Sequence, residues 1–491
     1  MSPLRPMLLV LLLAQASGQG PRFEPLQPEL LSAGGTLVNA AADYDGDGDI
    51  DLFVGFNGAA NRLYRNDAGV LVDVGAAAGL ADARPTRAAA WGDFDADGDP
   101  DLLVGFTPGS GSVLRLYRND RGRFADVTTA SGVAMEAGAV RQPAWVDVDG
   151  DGDLDLFVGF RDRPDVLFRA AEGRFADVAG DVGLADARKT VGAVWFDYDE
   201  DGDLDLYAAH MDGDANSLMR NDRGRFTDAA EAAGVAWGGR KAGEPANGTV
   251  RPCAADVDGD GRLDLFTANY GPNGLFLNRG AGRFEDVSTS WGIAIDSRYD
   301  ACAFADFDHD GRIDLYVNGT VTGGVSYRDH LFRNTGTRFE DVTSDNIRAL
   351  HADHGVLWVD LDRDGALDLA LTGSRPDGMH HVHRNAIPPA DARRSLQVRV
   401  LDARGRATGA GAEVRVYAAG TRRLLGARLV DSGSGYDSQN DVPVHFGLPS
   451  TARVDVEVTW PARGTRSVTR QRNVDPGAHA GRSLVIRLRR P

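Results

Sequence analysis

Five aspartates stand at alternate positions in DYDGDGDID, residues 43–51, and the chain then turns at once into the apolar run Leu52-Phe53-Val54. Closely spaced carboxylates are the ligand type of a hard divalent cation, and beside a buried strand they would repel one another strongly without one. The pattern returns six more times. Counted from the first aspartate of each loop, positions 1, 3, 5, 7 and 9 are Asp43, Asp45, Asp47, Asp49 and Asp51; then Asp93, Asp95, Asp97, Asp99 and Asp101; Asp147, Asp149, Asp151, Asp153 and Asp155; Asp197, Asp199, Asp201, Asp203 and Asp205. The last three loops are Asp256, Asp258, Asp260, Arg262 and Asp264; Asp306, Asp308, Asp310, Arg312 and Asp314; and Asp360, Asp362, Asp364, Ala366 and Asp368. Position 6 is glycine in all of them: Gly48, Gly98, Gly152, Gly202, Gly261, Gly311 and Gly365. Arg or Ala at position 7 cannot replace a side-chain ligand. A main-chain carbonyl there survives the substitution.

Side chains at 1, 3 and 5, a carbonyl at 7 and a glycine at 6 are what an EF-hand loop offers Ca²⁺. The present loops close at position 9 and lack the glutamate an EF-hand needs at 12. The larger, more flexible shell of Ca²⁺ suits so many protein oxygens better than that of Mg²⁺. We expect about seven structural Ca²⁺ ions, offsetting fourteen negative charges at two per ion. Each loop leads into strand-type residues, LFV and then LLV, LFV, LYA, LFT, LYV and LAL, so a β-strand and not a helix follows.

These strands imply the elements that must hold the loops. The loops recur every 50 to 59 residues, a repeat-unit period. Two residues before them stand Trp91, Trp145, Trp195, Phe304 and Trp358, with Ala41 and Ala254 in the other copies, expected to pack between neighbouring units. About 20 residues on come RLYRN, RLYRN, VLFRA, SLMRN, LFLN, HLFRN and HVHRN. Six units add a third element, Val70-Leu71 or an Arg-Phe pair, which the last unit lacks, while Arg22-Phe23-Glu24 stands alone at the other end of the pattern. Complementary incomplete ends predict an all-β fold, a seven-bladed β-propeller latched by its N-terminal strand.

The D-x-D-x-D-G-x-x-D loops and their period resemble the FG-GAP/VCBS repeat family over residues 22–386. The resemblance implies a Ca²⁺-loaded propeller, as in the integrin alpha head, with the loops on one face of the disc. After Ile387-Pro388-Pro389, SLQVRV (395–400), AEVRVYA (412–418), VDVEVTW (454–460) and SLVIRLR (483–489) alternate as half-buried strands, which predicts a small C-terminal β-sandwich. Gly409-Ala410-Gly411-Ala412, SGSGYDSQND (432–441), VHFGL (444–448) and TWP (459–461) resemble the ASPIC/UnbV domain. Together the two parts resemble the cartilage acidic protein family and its bacterial members, which implies an extracellular, calcium-binding protein.

Charge divides the chain in the same place. The whole carries −19, yet residues 387–491 hold 18 Arg against 7 Asp and 2 Glu, a net +9, leaving −28 before them. That balance argues against nucleic acid as a partner. MSPLRPMLLVLLLAQASGQG reads as a secretory signal over residues 1–18, followed by propeller at 19–386, a linker at 387–393 and the sandwich at 394–491. No segment is long and apolar enough to span a membrane, so the expected location is secreted, periplasmic or at the cell surface. Cys253 and Cys302 lie three and four residues before consecutive loops, on opposite strand faces, and are expected to form a disulfide. His351, His354, His380, His381 and His383 are expected to be surface and edge-strand residues, and Asn247 and Asn318 open glycosylation sequons. With no nucleophile elbow, HExxH or spare carboxylate pair, the leading reading is a non-catalytic protein binding an extracellular protein or polysaccharide. The alternative is a hydrolytic, polysaccharide-active enzyme working at the central face.

Overall fold

The computed structural model describes residues 21–488 apart from 110, 172, 349, 351–353, 376–379, 403, 408, 432–436 and 462. The expected signal peptide and His351 lie outside the described residues.

Each apolar run that follows a loop becomes the second strand of a four-stranded antiparallel sheet. In the first sheet Thr36–Ala42, Asp51–Phe56, Arg62–Asp67 and Val70–Asp73 lie in that order. The aspartate loop is therefore the turn between the first strand and the second. The described residues form seven such four-strand units, blades 1 to 7, whose first strands are Thr36–Ala42, Thr86–Gly92, Val140–Val146, Thr190–Phe196, Gly248–Ala255, Asp296–Ala305 and Val356–Val359. Blades 5 and 6 join into one eight-stranded sheet where Tyr270 pairs with Arg298, and blade 2 gains Ser438–Gln439 as a fifth, parallel strand. These strands contact one another in sequence around a ring, and blade 7 returns to blade 1. There Asn39 Nδ2 donates to Ala370 O at 3.2 Å. The last blade takes its outermost strand, Phe23–Pro25, from the N-terminal end, with Phe23 opposite Asn385. The expected latch is present.

Both faces of the inner strands are apolar because both are covered. Asp51–Phe56 and its counterparts in blades 2, 3 and 4 are buried at every residue, the mark of a sheet packed on either side. The aromatic residues before the loops fill the spaces between blades. Trp145 stacks on Phe94 of blade 2 at 6.2 Å, Trp195 meets Phe157 of blade 3 edge-on at 5.6 Å, and Trp358 meets Tyr316 of blade 6 at 6.3 Å. The expected disulfide joins the first strands of blades 5 and 6, Cys253 to Cys302.

The C-terminal residues form the expected sandwich. Val444–Gly447, Ser395–Leu401 and Leu484–Arg487 make one sheet; Leu424–Leu429, Glu413–Ala418, Val454–Pro461 and Arg466–Val474 make the other. Val398, Val414, Val416, Phe446 and Val456 belong to one core between them. The stretch expected to be a linker contains a helical turn, Pro389–Ala392, because proline at the first helical position has its φ already set.

Two expectations about exposure are corrected. His380 and His383 are only 1% and 4% exposed. The N-terminal segment covers them: His380 N donates to Ala33 O, and His383 pairs with Pro25. Asn318 is fully buried and its amide donates to Asp329, so a glycan there is incompatible with the folded chain. Among the described residues no helix is long and apolar enough to cross a membrane.

The latch has a measurable energy. Phe23 is buried against Trp358, ring centroids 6.0 Å apart. Phe23→Ala should lower unfolding free energy by about 3–5 kcal/mol, read from a urea titration; a loss under about 1 kcal/mol would mean the terminal strand does not close the ring.

Candidate metal centres

The seven loops share one backbone path, which explains their fixed residues. The position-6 glycines have φ between 90° and 102°, outside the range comfortable for a residue with a Cβ. Position 4 is left-handed as well in every loop: Gly46, Ala96, Gly150, Glu200, Gly259, His309 and Arg363 have φ between 55° and 78°. Only three of these are glycine. A non-glycine residue there costs roughly 1–2 kcal/mol, which the rest of the loop must offset.

Every carboxylate has a defined part. The position-1 Oδ2 accepts from the position-6 N–H at 2.9–3.2 Å in all seven loops. The position-5 Oδ1 accepts from the position-7 N–H at 2.7–2.9 Å. Position 9 uses both oxygens: one accepts from the position-2 N–H at 2.8–3.3 Å. The other accepts at 2.7–2.9 Å from the third strand, at Asn66, Asn119, Ala170, Asn221, Asn278, Asn334 and Asn385. The side chain at position 7 reaches the neighbouring hairpin, and in loops 5 and 6 Arg262 and Arg312 also pair with the position-5 carboxylates Asp260 and Asp310 of their own loops. Asp49, Asp99 and Asp203 accept from the amides of Ala68, Arg121 and Arg223, whereas Arg262 and Arg312 donate to the carbonyls of Asn278 and Asn334. Aspartate and arginine interchange there because each bridges to the same hairpin with opposite polarity.

What remains fits a cation. In blades 1 to 4 the carboxylates of positions 1, 3 and 9 each bring an oxygen within 4.8 Å of the others, and in blade 5 those of positions 1, 3 and 5 do so. The position-1 Oδ1 of Asp93, Asp147, Asp197 and Asp360 is buried and receives no hydrogen bond. A buried bare carboxylate oxygen among other carboxylates is a ligand atom for a hard ion. Burial pushes Asp51 and Asp155 up to about 8 and Asp101 to about 9, and Asp205, Asp264, Asp314 and Asp368 well above the usual carboxylate range. Burial also raises Asp93, Asp147, Asp197, Asp256 and Asp306 to about 7; repulsion from their own loop comes next at Asp93 and Asp147, whereas Arg466 opposes the rise at Asp197 and Arg428 opposes it at Asp256 and Asp306. Burial thus favours the protonated form of these carboxyls unless a positive charge is near.

One set of residues escapes a reading of the loops alone. Six of the third-strand asparagines donate their side-chain amide to the position-2 carbonyl of the preceding blade, at 2.8–3.3 Å: Asn66 to Leu361, Asn119 to Tyr44, Asn221 to Val148, Asn278 to Tyr198, Asn334 to Val257 and Asn385 to Phe307. The asparagine that ends the second short strand, preceded by arginine in five of the six, is their signal. Blade 3 has Ala170 in that place and makes no such staple.

A second is the segment Asp437–Asp441, which enters the ring on the loop side. Ala41 N donates to Asn440 Oδ1 at 2.8 Å, Ala89 N to Asp437 O at 3.1 Å and Trp145 N to Gln439 Oε1 at 2.5 Å. Asp437 is fully buried and pairs with Arg87 at 3.3 Å.

The chain matches the family described as FG-GAP-like repeat in overlapping segments from residue 43 to residue 317, and the ASPIC and UnbV family over 403–479. It is 28% identical to cartilage acidic protein 1 of Mus musculus over 368 residues, 68% of this chain and 53% of the relative. The Homo sapiens protein of that name is 30% identical over 263 residues, 50% and 37% of the two chains. The chain thus spans about half the length, or less, of these relatives. Among solved structures it is similar in fold to the BP39L lectin from Burkholderia pseudomallei, with a TM-score of 0.51 and 14% identity over 72% of this chain and 97% of that one.

The titration of position 9 gives a pH dependence of definite sign. A carboxyl whose folded pKa lies far above its unfolded value near 4 stabilises the fold below that value and loses the contribution as pH rises through the folded pKa. In chelator, the unfolding midpoint should therefore fall steadily from pH 5 to pH 9. With a saturating divalent cation, thermal scans over the same range should show little slope, and equal slopes would contradict the assignment.

Proposed function

Because the chain belongs to the FG-GAP repeat family and carries an ASPIC and UnbV domain, we propose that it is a secreted, calcium-loaded β-propeller protein that binds an extracellular protein or polysaccharide and is not an enzyme. In this reading residues 1–18 are a signal peptide, 19–386 the propeller and 394–491 the sandwich. One Ca²⁺ per loop, about seven in all, would be held by the carboxylates at positions 1, 3, 5 and 9 and the carbonyl of position 7. When bound, Ca²⁺ supplies the charge that lets the buried aspartates ionise. The chain's own residues then do the holding: position 9 ties the loop to the third strand, and the asparagine beyond it ties that strand to the neighbouring blade.

One observation carries the calcium reading: a loop with carboxylates at positions 1, 3, 5 and 9 recurs in every blade, with its position-1 Oδ1 left bare and buried in four of them. A structural and non-catalytic role is supported by what each carboxylate already does, since both oxygens of position 9 accept backbone hydrogen bonds. The alternative, a hydrolytic enzyme acting at the central face, has little support on the loop side, where Asp437–Asp441 occupies the ring.

Equilibrium dialysis with elemental analysis should find close to seven Ca²⁺ per chain, and Asp93→Ala should remove one. Finding none or one, or an ion count indifferent to Asp93→Ala, would overturn the reading. Turnover of a glycan or ester substrate, abolished by a substitution outside the loops, would overturn the non-catalytic part.

A further inference from the structure

The C-terminal sandwich lies on the loop face, and its contacts are unevenly distributed. Arg406 Nη2 donates to Gly152 O at 2.6 Å, Arg415 Nη2 to Gly261 O at 2.7 Å and His445 Nε2 to Gly365 O at 2.8 Å. All three acceptors are the position-6 carbonyl, in loops 3, 5 and 7. In each of those loops the N–H of the same peptide group, on position 7, already donates to the position-5 carboxylate. The peptide is thus tied at both ends, once within its loop and once to the sandwich.

The loops between them are covered differently. Over loop 4 the backbone of Thr465 sits so close to Gly202 that a Cβ would not fit, Gly464 N donates to Asp203 Oδ1 at 2.7 Å, and Arg466 pairs with Asp197 at 3.2 Å. Over loop 6, Gly447 leaves no room for a Cβ beside Asp306, and His309 Nδ1 donates to Asp391 O at 2.9 Å. Loop 7 receives a second bond, from Gln397 Nε2 to Asp360 Oδ2 at 2.7 Å. Loops 1 and 2 differ: Gly48 and Gly98 are exposed, a Cβ on Gly98 would meet nothing within 4 Å, and what lies beside Gly48 is not the sandwich but the side chain of Arg363 in loop 7, which pairs with Asp49 at 2.6 Å. The other position-6 glycines are buried or half-buried.

We propose that the C-terminal sandwich divides the seven calcium loops into two kinetic classes, locking the ion in loops 3 to 7 and leaving loops 1 and 2 in open exchange. An ion leaves when its loop unwinds, and unwinding must rotate the peptide between positions 6 and 7. In loops 3, 5 and 7 that rotation also breaks a bond from the sandwich, two of the three donated by a guanidinium. In loops 4 and 6 it meets backbone packed against the turn. The inference rests on the calcium reading and adds a count to it: two fast ions and five slow ones.

The test is stopped-flow release of Ca²⁺ from the intact chain into a fluorescent chelator, with total bound Ca²⁺ measured separately. Two ions should leave in a fast phase and five at least about tenfold more slowly, the factor set by losing one charge-assisted hydrogen bond. Asp93→Ala should take one ion from the fast phase and Asp256→Ala one from the slow phase. Arg406→Ala with Arg415→Ala should move two ions from slow to fast without changing the total. A single phase containing all the ions in the unaltered chain would overturn the proposal while leaving calcium binding intact. A chain that binds no Ca²⁺ would overturn the calcium reading, and the proposal with it.

Discussion

A carboxylate buried at the root of each blade cannot ionise alone, and the structure is arranged around that constraint. Asp51 and its six counterparts are fully or almost fully buried, yet each also accepts two backbone hydrogen bonds that join the cation loop to the third strand. Removing the charge by protonation leaves an acceptor of reduced strength; supplying a counter-ion keeps both bonds at full strength. The loop around it is strained in the same cause, since two left-handed residues in a nine-residue turn are stable only when something inside the turn holds them. In the proposed calcium reading, cation, strand pairing and loop path form one cooperative unit in every blade.

The ring follows from linking those units. Each asparagine that places its N–H on position 9 turns its side chain to the previous blade's loop, so a disturbance in one loop reaches the neighbour through two hydrogen bonds. Where Ala170 interrupts the series, blades 2 and 3 rely on packing, and Phe94, Trp145 and Phe175 form a compact aromatic cluster there. Closure rests on the N-terminal strand, and the disulfide adds a covalent tie between blades 5 and 6.

The loops were legible in the sequence because their chemistry fixes residue type at fixed spacing, and the blades because apolar strands recur at a constant interval. The latch was legible too, since Arg22-Phe23 matches an element missing from the last unit. Other features are set by partners far along the chain and leave weaker traces. The segment Asp437-Ser438-Gln439-Asn440-Asp441 is polar in sequence, and its burial is explained by the peptide N–H groups of Ala41, Ala89 and Trp145 that bond to it. His380 and His383 are covered by the N-terminal segment, and Pro389 starts a helical turn where composition suggested a linker. The position-4 conformation is hidden at Glu200, His309 and Arg363, whose types give no sign of it.

The charge asymmetry acquires a structural meaning from the same contacts. Arginines of the basic sandwich meet the acidic blades, but Arg406 and Arg415 are aimed mainly at loop carbonyls, so what they recognise is the wound shape of the loop as well as its charge. Amide hydrogen exchange in Ca²⁺ and in chelator tests the account at its root. The amides of Asn66, Asn119, Ala170, Asn221, Asn278, Asn334 and Asn385, which donate to position 9, should be strongly protected with Ca²⁺ and lose that protection together when it is removed. If they stay equally protected in chelator, the cation is not what holds the buried carboxylates in place, and the account fails.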